Sequence, residues 1–355
     1  MGNLAITYQH IADILSFETS TLKLEKTLTQ PSFDWDAIVV EGSKHLVLPA
    51  IYCRLKAKQL LHVLPVDLIN YLEHITSENR KRNSIILTQI GEISQLLNSH
   101  NIEFVFLKGA ALLVLNCFSD IAERMLGDID ILVSPNQLNK AHRLLIDIGY
   151  KPIKQTLGND FFEHKHLPRL KTDVSSNRIA AVEVHRKLFI SFNYNALNPK
   201  SILKEQQENI FIPSLKHLLM HNILNYQIND KGVLYNSISF RSAYDTILLI
   251  QKHKDYQIWY NDKFFKSYFC YTSLFFQDIK TVTNSKSNYS TSFYLFKLRH
   301  LIFYKFWNRV LTFSNFLFIL LNRLIYFTIN KSYRKAIIND RKRIYTHFKS
   351  FFNSF

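Results

Sequence analysis

Two aspartates separated by one residue, Asp128 and Asp130, carry the clearest chemical signal in the chain. They belong to the run Gly127-Asp128-Ile129-Asp130-Ile131-Leu132-Val133, which predicts a β-strand. Successive side chains on a strand point to opposite faces, so this spacing places both carboxylates on one face. Like charges repel there, and a hard divalent cation with oxygen ligands, Mg²⁺ above all, is their natural partner.

The segment upstream of these aspartates predicts a phosphate-binding turn. A β-branched and aromatic run from Ile102 to Leu107 predicts a strand, which stops at Lys108-Gly109 before a helix-forming segment. A strand that ends in Lys-Gly and enters a helix offers backbone N–H groups, the positive end of the helix dipole and an ammonium group. Arg124, four residues before Asp128, either reaches a phosphate or braces the strand.

A helix and further strands follow the two aspartates. Ser134 and Pro135 predict the start of a helix over residues 136–148, and Gly149 predicts its end. A third acidic position, Glu183, shares one strand face with His185. The predicted strands cover residues 151–156, 161–169 and 179–185, with turns at 159–160 and 173–177.

This order of elements resembles the DNA polymerase β type nucleotidyltransferases. It is most similar to a bacterial branch of largely uncharacterised nucleotidyltransferases, strongly over residues 85–190 and more thinly over 35–250. The residues that carry the resemblance are Leu107-Lys108-Gly109, Arg124, Asp128 to Val133, Gly149-Tyr150 and Glu183-Val184-His185. It implies an α+β fold with a polymerase β-like core, a mixed sheet with helices, flanked by N-terminal and C-terminal helical regions.

The resemblance also implies an activity, which is transfer of an NMP from an NTP donor to an acceptor hydroxyl by two-metal in-line displacement. The acceptor stays open between a small molecule, an RNA end and a protein. The implied catalytic and metal-binding residues, which would hold two Mg²⁺ ions, are Asp128, Asp130 and Glu183. The implied nucleotide- and phosphate-binding residues are Lys108, Gly109 and Arg124, and His185 is either an orienting residue or structural.

One departure from the wider superfamily leaves an alternative open. A Gly-Ser or Gly-Gly pair usually begins the phosphate-binding helix there, whereas this chain has Gly109-Ala110, and alanine has no hydroxyl for a phosphate. The donor nucleotide therefore stays undefined. The alternative function is a non-catalytic nucleotide- or partner-binding protein of the same fold, attached to a membrane surface through its tail.

Composition and periodicity divide the chain into four predicted parts. These are a helical region (1–100, with separate helices over 68–75 and 85–97), the catalytic core (101–200), a helical domain forming the other wall of the cleft (201–290) and a basic aromatic helical tail (291–355). His217, His221, Arg241 and Asp245 are interpreted as core or helix-pairing residues. Three dispersed cysteines and no recognisable signal peptide predict a cytoplasmic protein.

Most of the net charge of +16 lies in the tail. Residues 293–355 contain twelve Lys and Arg against a single acid, Asp340, and Val310 to Ile329 is the most apolar 20-residue stretch. Four interpretations follow: a membrane span, an interfacial helix on the inner, anionic face of the membrane, an RNA-binding segment, or a helical pair packed on the domain with its Lys and Arg in water. We favour the last.

Overall fold

Five short strands form one mixed sheet in the middle of the chain. In this computed structural model, the described residues are 3–153, 158–172, 177–190, 194–207, 209–252, 262–282 and 289–353. The strands are Phe104–Phe106 (β1), Asp128–Val133 (β2), Lys151–Pro152 (β3), Leu170–Lys171 (β4) and Ala181–His185 (β5). Their order in the sheet is β1-β2-β5-β4-β3. The central β2–β5 pair is parallel and the other pairs are antiparallel, as the sequence predicts for a mixed sheet.

Helices precede and follow the strands along the chain, which confirms the α+β prediction. The helices before β2 are Leu4–Leu15 (α1), Thr21–Leu28 (α2), Trp35–Lys44 (α3), Leu48–Ala57 (α4), Val66–Ser99 (α5) and Lys108–Val114 (α6). Those after it are Leu138–Asp147 (α7), Pro199–Lys204 (α8), Leu215–Leu224 (α9), Gly232–Tyr235 (α10), Phe240–Lys252 (α11), Lys263–Thr272 (α12), Gln277–Val282 (α13), Tyr289–Arg299 (α14), Leu301–Ile329 (α15), Lys331–Asn339 (α16) and Arg341–Asn353 (α17).

The two helices predicted over 68–75 and 85–97 are one continuous helix, α5. The apolar pattern does not show that the helix is continuous, because the middle of α5 buries polar residues instead of apolar ones. These are Thr76, Asn79 and Asn83. Both asparagine amides donate to backbone carbonyls in the segment before β2, namely those of Ala122, Arg124 and Ile121. Buried amides paired in this way fix the approach to the Asp-x-Asp strand.

The predicted strand over 161–169 is wrong. Residues 159–161 form a short 3₁₀ turn, and the strand that pairs with β3 is β4. The predicted strand over 151–156 is reduced to β3 among the described residues, since 154–157 and most of the predicted 173–177 turn lie outside them. The predicted 136–148 helix is shorter, since it begins at Leu138 and ends at Asp147. Gly149 follows it with a φ of +103°, as its C-terminal position requires.

The tail differs from the packed helical pair that the sequence favours. Helix α15 contains no buried residue, although α16 is anchored by the buried ring of Tyr333. Of the described helices, α15 alone is long and apolar enough to cross a membrane by length and composition, and that criterion is weak on its own. The apolar side of the tail is therefore left largely in solvent.

Candidate active site

The three predicted carboxylates meet on the two central strands. The Cα partners across the parallel β2–β5 pair include Asp130 with Glu183, and Asp128 lies two residues earlier on β2. Asp130 is buried, while Asp128 and Glu183 are half-buried. Ile129 and Ile131 alternate with the aspartates and are fully buried in the core, which fixes the strand and its register.

His185 joins this cluster from β5. Its Nε2 donates to Asp130 Oδ1 at 2.8 Å and lies 3.5 Å from Glu183 Oε2. Its Nδ1 is buried and has no hydrogen-bond partner among the residues that the structure describes. Ligand atoms of Asp130, Glu183 and His185 all lie within 4.8 Å of one another, which is close enough to hold one metal ion. The ring therefore contacts both carboxylates, and an orienting role for it stays a prediction.

Lys108 contacts the cluster from the turn between β1 and α6. Its Nζ donates to Asp130 Oδ1 at 2.6 Å. Its backbone has a φ of +50°, in the left-handed region that a lysine seldom adopts. Strained backbone of this kind costs about 1–3 kcal/mol and is concentrated at functional sites. The expected phosphate ligand thus lies beside the carboxylates, and its role toward a phosphate stays a prediction.

Two basic residues at this site were missed from the sequence. Arg169 Nη2 lies 3.2 Å from Asp128 Oδ2, and its Nε lies 3.9 Å from Glu183 Oε1. His166 Nε2 lies 3.6 Å from Glu183 Oε2. Both residues belong to the basic stretch 164–169 (HKHLPR), which was interpreted as an ordinary strand. This cluster of basic residues precedes β5, the strand that carries Glu183, and it was the sequence signal that could have identified Arg169 and His166.

Burial and charge act differently on the three carboxylates. Burial raises the pKa of Asp128, and the neighbouring Asp130 and Glu183 raise it further. Burial has the same effect on Asp130, but the Lys108 ammonium and His185 hold its pKa far below the usual value. Burial also opposes ionisation of Glu183, yet the contact with His185 lowers its pKa. The lowered pKa values favour the ionised forms of Asp130 and Glu183, which are the forms that bind a cation.

The donor set fits a hard divalent cation. Carboxylate oxygens are the ligands that Mg²⁺ prefers, and three carboxylates converge here from adjacent strand positions. Lys108 and Arg169 bring positive charge to these anions, through contacts with Asp130 and Asp128 respectively. Asp130 and Glu183 belong, with His185, to the group whose ligand atoms lie close enough for one ion, and Asp128 lies two residues from Asp130 on the same strand.

Arg124 and Gly109 have structural surroundings that the sequence left open. Arg124 Nε lies 3.0 Å from both carboxylate oxygens of Asp245 on α11, and Nη1 donates to the carbonyl of Met125. Arg124 thus braces the segment that leads into β2. A Cβ on Gly109 would lie 3.0 Å from Leu126 Cγ, so glycine allows α6 to approach that same segment closely.

A polar cavity of about 60 Å³ lies next to this cluster. Lys108, Leu112 and Arg124 line it from the sheet side, and α9, α11 and the segment between them line the other side. His217 and His221 of α9 are both buried. The helical region after the sheet therefore forms one wall of a cleft whose other wall carries Lys108.

This mixed sheet, with carboxylates on two adjacent strands and helices before and after it in the chain, agrees with the α+β nucleotidyltransferase core that the sequence predicts. Comparison with protein-family models matches residues 31–261 to a family described as uncharacterised nucleotidyltransferase, and the chain belongs to that family. The match covers β1 to β5 and α11. The search of curated proteins and the search of solved structures each gave no match.

Proposed function

We propose that the protein is a Mg²⁺-dependent nucleotidyltransferase that moves an NMP from an NTP to an acceptor hydroxyl. The observation that carries this proposal is the register of β2 and β5, which sets Asp130 beside Glu183 with Asp128 on the same strand. Family membership over residues 31–261 supports the reaction class. The acceptor is a small molecule, an RNA end or a protein.

The chemistry that we propose uses the side chains in distinct roles. Two Mg²⁺ ions bound by Asp128, Asp130 and Glu183 would neutralise the triphosphate and polarise its α-phosphorus. Glu183 takes the proton of the acceptor hydroxyl. The acceptor oxygen then forms a bond to the α-phosphorus, the bond from that phosphorus to the α,β-bridging oxygen breaks, and pyrophosphate leaves. Lys108, which lies beside Asp130, contacts the departing phosphates.

The test is transfer of label from each of four α-³²P-labelled NTPs, with Mg²⁺, into a lysate of the source cells. Asp128→Asn keeps the shape of the side chain and removes its charge, so we expect it to abolish transfer with little change in melting temperature. Asp147→Asn, an exposed aspartate on α7, is the matched control and should transfer at the wild-type rate.

The product identifies the nucleotide and the acceptor class, since RNA, protein and small molecules separate by size and by nuclease or protease digestion. Normal turnover by Asp128→Asn would refute the catalytic assignment. Mg²⁺-dependent NTP binding by the wild type without any labelled product would instead support the non-catalytic nucleotide-binding protein.

We also propose that the tail attaches the protein to the inner face of a membrane, as a helix lying in the bilayer surface. The observation that favours this is an exposed apolar stripe on α15. Its members, which are between 39% and 74% exposed, are Ile302, Phe306, Val310, Phe313, Leu317, Leu321 and Leu324. At 3.6 residues per turn these seven positions fall within a sector of about 100°. The other exposed large apolar residues of α15 lie outside this sector; they are Phe318, Ile319, Ile325 and Ile329.

The charge around the stripe matches an anionic lipid surface. Lys305 and Arg309 are exposed, and both lie within about 60° of the apolar sector at 100° per residue. Basic side chains at the edge of an apolar face reach the headgroups while the apolar face enters the acyl boundary. A second copy of this segment would repel the first, because residues 293–355 contain twelve Lys and Arg and one acid.

Cosedimentation with lipid vesicles tests this attachment. We expect the full chain to bind phosphatidylglycerol-containing vesicles and to bind pure phosphatidylcholine vesicles far more weakly. Phe306→Ser/Phe313→Ser should reduce binding at least tenfold, since each loses an exposed ring from the stripe. Val40→Ser/Val66→Ser removes two exposed apolar side chains from α3 and α5 and should bind normally.

Three results would contradict the in-plane attachment. The first is equal binding by the stripe variant and the wild type. The second is protection of α16 and α17 from protease added outside the vesicles, which would indicate a membrane span. The third is preferential binding of an RNA oligonucleotide that displaces the vesicles.

A further inference from the structure

Arg241 has an unusual position at the start of α11. It lines the polar cavity, is half-buried, and makes no hydrogen bond and no ion pair within 4 Å among the described parts of the chain. Burial and the charge of Arg124 lower the pKa of Arg241, and Asp245 and Asp230 act in the opposite direction. A guanidinium always carries its charge, so burying one without a direct acceptor is costly. An arrangement of this kind is suited to an anion that binds from outside.

The described residues that line the cavity carry three positive and two negative charges, namely Lys108, Arg124 and Arg241 against Asp230 and Asp245. Lys108 also pairs with Asp130. Arg124 and Asp245 neutralise each other through a two-oxygen contact. Lys108 lines the cavity from the sheet wall and Arg241 from the helical wall. Asp230, in the segment before α10, is the one remaining acid of the lining, and it forms no ion pair within 4 Å among the residues described.

The size of the cavity selects the kind of anion. A single water needs roughly 10–15 Å³ by the same measure, so a cavity of about 60 Å³ holds about four waters or one phosphate group. Lys108, which lines the cavity, donates to Asp130 at 2.6 Å, so a phosphate in the cavity lies close to β2.

We propose that Arg241 and Lys108 form a phosphate-binding site for the terminal phosphates of the donor nucleotide. The carboxylate of Asp230, which also lines the cavity, repels an incoming anion. The assignment of the anion to a nucleotide rests on the proposed function, whereas phosphate binding itself does not. Arg241 presents a planar fork that bonds two phosphate oxygens, which Lys108 alone cannot do. The helical wall thereby becomes a binding element and not only a structural one.

The probe is inorganic tripolyphosphate, titrated calorimetrically into the full chain in the presence of EDTA, so that binding reports the cations of the protein. Arg241→Gln should weaken binding about tenfold or more. Asp230→Asn removes the competing charge and should tighten binding several-fold. Arg143→Gln, which removes an exposed charge from α7, is the matched control and should change the Kd by less than about twofold.

The opposite signs of the two variants separate binding from damage to the fold, because damage would only weaken binding. A folded Arg241→Gln with the wild-type Kd, an Asp230→Asn that does not tighten binding, or a wild type that binds no tripolyphosphate would each overturn the site. If Arg241→Gln does not fold, Asp230→Asn decides alone. If the variants change phosphate binding as expected but no NMP is transferred, the proposed function is refuted and the phosphate site is retained. If NMP is transferred but Arg241→Gln has the wild-type Kd for tripolyphosphate, the phosphate site is refuted and the proposed function is retained.

Discussion

Arg124 Nε lies 3.0 Å from both carboxylate oxygens of Asp245, residues that are 121 positions apart in the chain. The pair joins the segment that leads into β2 to helix α11, and both side chains are almost fully enclosed. It therefore holds the carboxylate cluster and the helical wall of the cavity in one fixed relation. Burial raises the pKa of Asp245 even so, while Arg124 lowers it.

We predict that Asp245→Asn lowers the free energy of unfolding by about 3–5 kcal/mol, because it leaves the guanidinium of Arg124 buried without its anion. Chemical denaturation followed by circular dichroism measures this loss. The double variant Arg124→Met/Asp245→Leu should recover most of it, since two apolar side chains replace both charges. A single variant as stable as the wild type would show that the pair contributes nothing to stability.

Binding of Mg²⁺ is expected to stabilise the folded protein. The ion would bind only where Asp128, Asp130 and Glu183 converge, so saturation at 100 times the Kd adds about 2.7 kcal/mol to the free energy of unfolding. Thermal unfolding with increasing MgCl₂, against NaCl at equal ionic strength, measures the shift. Asp128→Asn should lose most of it and Asp147→Asn should retain it. An equal shift in all three proteins would place the metal elsewhere.

A buried histidine predicts a loss of stability in weak acid. Burial lowers the pKa of His45 to about 4, and the charges of Lys44 and Arg241 act in the same direction. The neutral ring accepts from the N–H of Phe240 and contacts the hydroxyl of Tyr8. The unfolded chain takes up this proton near pH 6.5, so stability is complete above that pH and falls as the pH drops from 6.5 toward 4.

Urea unfolding of wild type and His45→Phe at pH 7 and pH 5 isolates this effect. Between these two pH values the wild type should lose about 2 kcal/mol more than the variant, because only the wild type has this histidine to protonate on unfolding. The carboxylates titrate alike in both proteins and cancel in the difference. Parallel losses in the two proteins would mean that His45 keeps an ordinary pKa in the fold.

The sequence predicted the local geometry of the candidate site well. The placement of Asp128 and Asp130 on one strand follows from a period of two, and the pairing of Asp130 with Glu183 follows from the resemblance to polymerase β type enzymes. The first prediction depends on a short-range backbone rule, and the second depends on the resemblance. The charges that complete the cluster, Lys108 and Arg169, needed the structure, since nothing in their spacing shows which carboxylate they contact.

Contacts between distant segments were beyond sequence reasoning for the same reason. The sequence interprets Asp245 as a core or helix-pairing residue; it is buried, and its partner Arg124 lies in the segment before β2 and not on a helix. Asn79 and Asn83 broke the apolar period of α5 because their partners are backbone carbonyls some 40 residues away. A hydrophobic pattern does not reveal polar residues that are buried because their hydrogen-bond partners lie in another segment.

The last prediction concerns how the tail is attached to the sheet side of the protein. Tyr333 of α16 is 2% exposed, and its ring lies 5.5 Å from that of Phe161 and 5.6 Å from that of Phe162. A Cβ on Gly158 would lie 2.5 Å from the Tyr333 ring, and Gly158 has a φ of +64°, so this position tolerates no larger residue. The same segment continues to Arg169, which contacts Asp128.

Tyr333→Ala should therefore release α16 and α17 from the body, with a loss of about 3 kcal/mol in the stability of this contact. Limited proteolysis should cut the tail much faster than in the wild type, while the fragment containing residues 31–261 resists cleavage. Tyr345→Ala is the matched control, because that ring is 71% exposed and holds nothing in place. Equal cleavage rates for Tyr333→Ala and wild type would show that α16 is held by other contacts, since loss of the ring would then leave the attachment intact.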